Sequence, residues 1–179
     1  AIGQFESLSS LSLIHYDNYN WCFPEIQTED SFAVKGQEIG HPLIPEKERI
    51  CNNFSLEKKG SLAIITGSNM SGKSTLLRTI GINLVLAYAG APVCAENFHF
   101  SIFSIYSSMR VNDNLEKNIS SFYAELLRVK ILLDAIKQGK KVFYLLDEIF
   151  KGTNLHDRQV GAFNILEYLN SSNCIGMVS

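Results

Sequence analysis

The sequence has no excess of charge of either sign: 16 Lys and Arg stand against 18 Asp and Glu, a formal net charge of −2 over 179 residues. No global basic field exists to draw in phosphate backbones, so any nucleic-acid contact is local or lies elsewhere. Proline is scarce at 4 residues and glycine numbers 12, which excludes a collagen-like repeat or a low-complexity linker. Cysteine is sparse too. Cys22, Cys51, Cys94 and Cys174 are scattered without a C-x-x-C pair, and reduced thiols in a cytoplasmic chain are the simpler expectation. No hydrophobic run reaches the roughly 20 residues of a membrane span, so no membrane contact is expected. The most apolar stretch, 80–95, is broken by Asn83, closed by Pro92, and reads as a buried helix. His15, His41, His99 and His156 lie far apart without metal-ligand spacing, and structural or surface roles are expected of them. No basic segment with a following apolar core opens the chain. With Ala1 first and Ser179 inside an apolar run, the expectation is a piece of a longer protein.

What is present is a globular composition, 46% hydrophobic and 11% aromatic, at a length that buries about 70% of the unfolded surface in one core. Ile2, Phe5, Leu8 and Leu11 recur at helical steps and predict a leading helix. Trp21, with Tyr16, Tyr19 and Phe23, is expected to pack that helix onto a sheet or onto a neighbouring domain. A short strand is predicted at 32–34, running into a turn at Lys35-Gly36. The β-branched run 61–66 reads as a strand covered on both faces. After a Gly- and Ser-rich turn, Leu76, Leu77, Ile80, Leu84, Ala87 and Tyr88 predict a helix of about sixteen residues, ended by Gly90 and Pro92. A strand at 98–106, a polar loop at 112–118, a helix over 122–138 capped by Ser120 or Ser121, a strand at 142–146, a helix at 157–169 and a strand at 174–178 complete the pattern. Apolar strands alternating with helices define an α/β fold, a mostly parallel sheet flanked by helices.

Two segments carry chemistry. Gly67-Ser68-Asn69-Met70-Ser71-Gly72-Lys73-Ser74 satisfies G-x-x-x-x-G-K-[ST] at every fixed position, between a strand and a helix. Backbone N–H groups and the positive end of the helix would converge there on a polyphosphate. Lys73 would add a point charge, and the Ser74 hydroxyl would ligate Mg²⁺. The second segment is Asp147-Glu148 at the carboxyl end of the apolar strand 142–146. Taken alone, such a pair is as much a helix cap or a solvent-facing pair as a functional site. Beside a phosphate loop, Asp147 becomes a holder of Mg²⁺ and Glu148 the base that orients and deprotonates an attacking water.

Residues 66–75, Thr66-Gly67-Ser68-Asn69-Met70-Ser71-Gly72-Lys73-Ser74-Thr75, resemble the T-G-P-N-M-G-G-K-S-T of the MutS family of DNA mismatch-repair proteins, a branch of the ABC-type ATPases. Residues 147–158 resemble that family's D-E-[IL]-G-R-G-T-S-T-x-D-G, keeping Asp147, Glu148, Gly152, Thr153 and Asp157. Ser120-Ser121-Phe122 and Glu125 look like its S-T-F-x-x-E signature. Gly40-His41-Pro42 is similar to G-R-H-P, and Ile50 and Asn52 stand in the place of a V-x-N. The resemblance implies a P-loop ATPase of ABC type that binds ATP or ADP with Mg²⁺ and hydrolyses ATP. It implies further that Thr75, Ile50, Asn52, Ser120 and Ser121 join residues 67–74 as nucleotide contacts. Residues 1–25 would form a helical connector and 26–179 the ATPase domain, lacking its last part. The partners implied are a second copy, whose signature serine completes a shared site, and DNA, contacted by domains outside this chain.

The departures are specific. Asn118 stands where the family has the signature glycine, and Phe150-Lys151 where it has G-R, so the chain looks like a divergent MutS-like branch. A nucleotide-gated dimerisation module with little hydrolysis is the alternative that Asn118 favours and Asp147-Glu148 opposes, and a parent protein that does not act in mismatch repair is another. A kinase-type transferase fits the Asn69-Met70 pair less well.

Overall fold

The computed structural model describes residues 2–28, 30–109, 121–149 and 155–179. In chain order its elements are α1 (Ile2–Asp17), β1 (Glu25–Ile26), β2 (Val34–Ile39), β3 (Asn52–Leu56), β4 (Leu62–Ile64), α2 (Lys73–Tyr88), β5 (Asn97–Phe100), β6 (Ser104–Ser108), α3 (Ser121–Lys137), β7 (Val142–Leu146), α4 (Leu155–Asn170) and β8 (Cys174–Val178). They form two compact units, one of residues 1–57 and 78–101, the other of 58–77 and 102–179, each with its own four-stranded sheet.

In the first unit the strand order is β1-β5-β2-β3, with β2 antiparallel to both neighbours. Period-two alternation buries Val34 and Gly36 and exposes Lys35 and Gln37. The register then shifts between Gly36 and Ile39, where Glu38 takes φ 49° and its N–H turns to the Asn53 side chain. That bulge returns Ile39 to the interior. Phe98 and Phe100 of β5 are buried, and Tyr88 packs on Phe100 at 5.4 Å between ring centroids. Asn83, which breaks the apolar run of α2 in the sequence, is fully buried and fully used. Its amide donates to the carbonyls of Thr79 (2.8 Å) and Gly40 (3.0 Å) and accepts from the Cys94 N–H (2.8 Å). An unpaired amide there would cost about 1–3 kcal/mol, so this asparagine is a clamp between segments.

The second unit is parallel throughout, in the order β4-β8-β7-β6. Every residue of β7 and β8 is buried, as near-continuous apolar runs covered on both faces require. α3 packs on β6 and β7, and α4 on β8. Leu132 and Ile136 of α3 and Leu169 of α4 meet Val142, Tyr144 and Cys174 in one cluster. Each such fully buried Leu or Val contributes roughly 1.5–3 kcal/mol of apolar transfer energy.

Three sequence expectations are corrected here. The strand expected over 98–106 is two strands, β5 and β6, in different sheets. It breaks because Ser101 turns a buried hydroxyl to the Ala33 N–H and Ser31, while the Ser104 N–H bonds Lys141. The run 61–66 yields only β4, an edge strand whose Ile64 is 60% exposed, so it is not covered on both faces. The strand expected at 32–34 begins instead at Val34 and runs to Ile39, and β1 and β3 were not expected. The leading helix forms, yet Phe5 and Leu8 are exposed and α1 has no buried residue. Of its neighbouring aromatics Trp21 is buried under the Arg49 guanidinium at 5.5 Å and Phe23 lies against His15 of α1 at 5.0 Å between ring centroids, while Tyr16 and Tyr19 are exposed.

Candidate functional site

β4, β8 and β7 end together: Ile64 pairs with Val178, and Val178 with Leu146. The chain therefore leaves β4 into the glycine-rich loop, and β7 into Asp147-Glu148, at one carboxyl edge with β8 between them. Two strand spacings, about 9–10 Å, separate the points of departure. Backbone bonds continue beyond the strands: Ile65 N–H to Val178 (2.7 Å), Ser179 N–H to Leu146 (3.0 Å), Glu148 N–H to Ser179 (3.2 Å) and Asp147 N–H to Ser108 (2.9 Å). The carboxyl edge of a parallel sheet is where α/β proteins place ligands.

The loop is open to solvent from Gly67 to Gly72, with Met70 fully exposed at φ 65°. Gly72 takes φ 93°, which a side chain would strain, and it delivers the chain into α2 at Lys73. The Leu76 N–H closes the first helical turn on the Gly72 carbonyl at 2.9 Å. Lys73 folds its ammonium over the loop, donating to the carbonyls of Gly67 (2.8 Å) and Ser68 (2.7 Å). Ser74 lies half-buried in the same turn and Thr75 is exposed.

At the other strand end Asp147 and Glu148 are half-buried, and Glu148 takes φ 51°. The Asp147 carboxylate accepts the Ser179 hydroxyl. Ser108, Glu125, Val129 and Ile149 join them around a small pocket. Glu125 reaches it from the first turns of α3, and its Oε2 is buried with no hydrogen-bond partner among the described residues. Ser108 and Ser179 were not singled out in the sequence. Each follows or closes a short strand, and only the order of strands brings them to Asp147.

Ile50 and Asn52 belong to the other unit, where Ile50 is exposed and Asn52 opens β3 opposite Ile39. Ser120 lies outside the described residues, as do Asn118 and residues 150–154. Ser121 is described only as the first residue of α3. The four cysteines are free thiols. No described helix is long and apolar enough to cross a membrane.

Strand, glycine-rich loop and helix, with an acidic pair after a parallel strand one removed in the same sheet, define an α/β domain built around one sheet edge. Residues 63–179 match the family described as MutS domain V. The chain is 34% identical over 152 residues to the DNA mismatch repair protein MutS of Fusobacterium nucleatum, covering 83% of this chain and 17% of that protein. It is 32% identical over 157 residues to the protein of that name from Desulfovibrio desulfuricans, covering 84% and 16%. With the Chlorobium phaeobacteroides protein of the same name it shares 30% over 177 residues, 96% of this chain and 20% of that one. The chain belongs to the MutS family. It spans about a fifth or less of the length of these relatives.

Proposed function

We propose that this chain is the ATP-binding and hydrolysing part of a MutS-like protein, a P-loop domain of ABC type. Residues 1–25 act as its connector, residues 26–179 as the ATPase domain, and the cytoplasm is its compartment. The observation that carries the reading is the register Ile64–Val178–Leu146, which sets a G-x-x-x-x-G-K-S loop and an Asp-Glu pair on one sheet edge with a single strand between them. Loop N–H groups, the α2 N-terminus and Lys73 bind the phosphates of ATP or ADP, and Ile50, Asn52 and Thr75 add contacts to the nucleotide. The Ser74 hydroxyl and the Asp147 carboxylate are hard oxygen donors, which suit Mg²⁺. Among the described residues no group of three or more His, Cys, Asp or Glu side chains could hold a metal by itself, so in this reading phosphate oxygens and water complete the shell. Mg²⁺ supplies neutralisation of charge on the phosphates. Glu148 orients the water that attacks the outer phosphate and takes its proton.

The site is shared in this reading. Ser120 or Ser121, the latter the first residue of α3, reaches the outer phosphate held by a second copy, so ATP drives a two-fold dimer. Nucleotide state is passed on to DNA-binding regions outside the chain. Asn118, in place of the signature glycine, favours a second reading in which binding switches the dimer and turnover is slow.

The test is a thermal melt with and without MgADP. At a hundredfold excess over Kd the expected gain is roughly 2.7 kcal/mol, a shift on the order of 5–11 °C, lost in Lys73→Ala. Equal shifts in wild type and Lys73→Ala would overturn the assignment. Phosphate release with water as sole acceptor separates hydrolysis from the switching alternative.

A further inference from the structure

We infer that Ser179 is a positioning residue for the Asp147 carboxylate, which it holds in one orientation for the metal. The inference rests on the ATPase reading above and adds to it a group outside both motifs. Ser179 follows β8, the strand between β4 and β7, and its backbone brackets Asp147. The Ser179 N–H bonds the carbonyl of Leu146, and its carbonyl accepts the N–H of Glu148. The residues immediately before and after Asp147 are thus tied to one serine, whose hydroxyl then donates to Asp147 Oδ1. Val178, whose register with Leu146 and Ile64 sets this position, is buried.

The consequence follows from the chemistry of a carboxylate. The terminal torsion of an aspartate is broad and roughly two-fold, so an unheld carboxylate presents either oxygen over a wide arc. With Oδ1 committed to a hydroxyl, Oδ2 is left as the acceptor for a cation or its water. A hydroxyl carries no charge, so it orients the carboxylate without competing for the metal as a lysine or arginine would. Groups that orient a metal-binding carboxylate in this way typically account for about 10- to 100-fold in metal affinity.

The experiment measures the Mg²⁺ midpoint for ADP-dependent thermal stabilisation, with Mn²⁺ binding followed by EPR as a readout independent of turnover. Wild type, Ser179→Ala, Ser179→Thr, Asp147→Asn and Lys73→Ala are compared in the full chain, each checked for its fold by circular dichroism. Ser179→Ala is expected to raise the metal midpoint about tenfold or more, with metal-free ADP binding unchanged, and Ser179→Thr to restore it. A midpoint that moves in Asp147→Asn but not in Ser179→Ala overturns the inference and leaves the ATPase reading intact. Equal loss in Ser179→Ala and Ser179→Thr also overturns it, because packing and not the hydroxyl would then be responsible. If Lys73→Ala keeps full ADP-dependent stabilisation, it is the ATPase reading that fails.

Discussion

Tyr144 of β7 lies against Gly176 of β8, its partner in the parallel ladder, so closely that a Cβ on Gly176 would stand 2.3 Å from the Tyr144 carbonyl oxygen and 2.5 Å from its ring. The carbonyl cannot move without disturbing the central ladder of the second unit, and both strands are buried throughout. Overpacking a core ordinarily costs about 1–3 kcal/mol, and a backbone obstacle puts this site at the upper end. Gly176→Ala is therefore expected to lower stability by about 3 kcal/mol, a fall in Tm of roughly 6–12 °C. Urea unfolding checks it, and a loss under about 1 kcal/mol would mean that β8 shifts along β7 without penalty.

The same tyrosine carries a hydroxyl that is buried without a hydrogen-bond partner among the described residues. Its dehydration is uncompensated, so removing it relieves a cost. Tyr144→Phe should be neutral or stabilising by up to about 1 kcal/mol. A clear loss of stability in the same urea experiment would show that the oxygen serves a buried water.

Burial also sets a pH limit. Cys174, fully buried between Leu169 and Val142, has its thiol pushed up from 9.0 to about 12 by desolvation, partly offset by Lys59. Tyr144 is raised for the same first reason, with Cys174 adding to it. Below pH 9 both states keep the thiol proton and stability does not depend on it. Between pH 9 and about 12 the unfolded chain releases that proton while the folded chain keeps it, so stability falls by up to about 1.4 kcal/mol per pH unit per group. Melting across pH 8–11 should show this decline, shallower in Cys174→Ala. Parallel profiles for the two proteins would contradict it.

The elements that could be read from sequence are those whose pattern and environment agree. β7 and β8 are apolar without interruption because helices and neighbouring strands cover them. α2 ends before Gly90 and Pro92 as its punctuation demands. Asn83 was visible as a flaw in an apolar run, but its partners Gly40 and Cys94 come from distant loops that no periodicity connects to it. The break at Ser101 was hidden because 98–106 alternates well enough to pass for one strand. At the candidate site the loop and the acidic pair were legible as motifs. Ser108 and Ser179 were not, because what places them beside Asp147 is the strand order β8-β7-β6, a property of the assembled sheet.

Glu148 stands at φ 51°, a left-handed conformation that costs a residue with a Cβ on the order of 1–2 kcal/mol. A glycine would hold that turn with less strain, so stability by itself does not explain a glutamate there. Glu148→Gly should leave stability unchanged or raise it by up to about 1 kcal/mol. Glu148→Gln, which keeps the backbone strain and the shape but not the basicity, should retain nucleotide affinity while turnover falls by about 10² or more. The informative comparison is urea unfolding beside single-turnover phosphate release for the two variants. Strain retained for chemistry predicts that both lose turnover and neither loses stability. If Glu148→Gly unfolds more easily and Glu148→Gln hydrolyses ATP at the wild-type rate, the residue is there to build the turn, and the water-activating group lies elsewhere on the sheet edge.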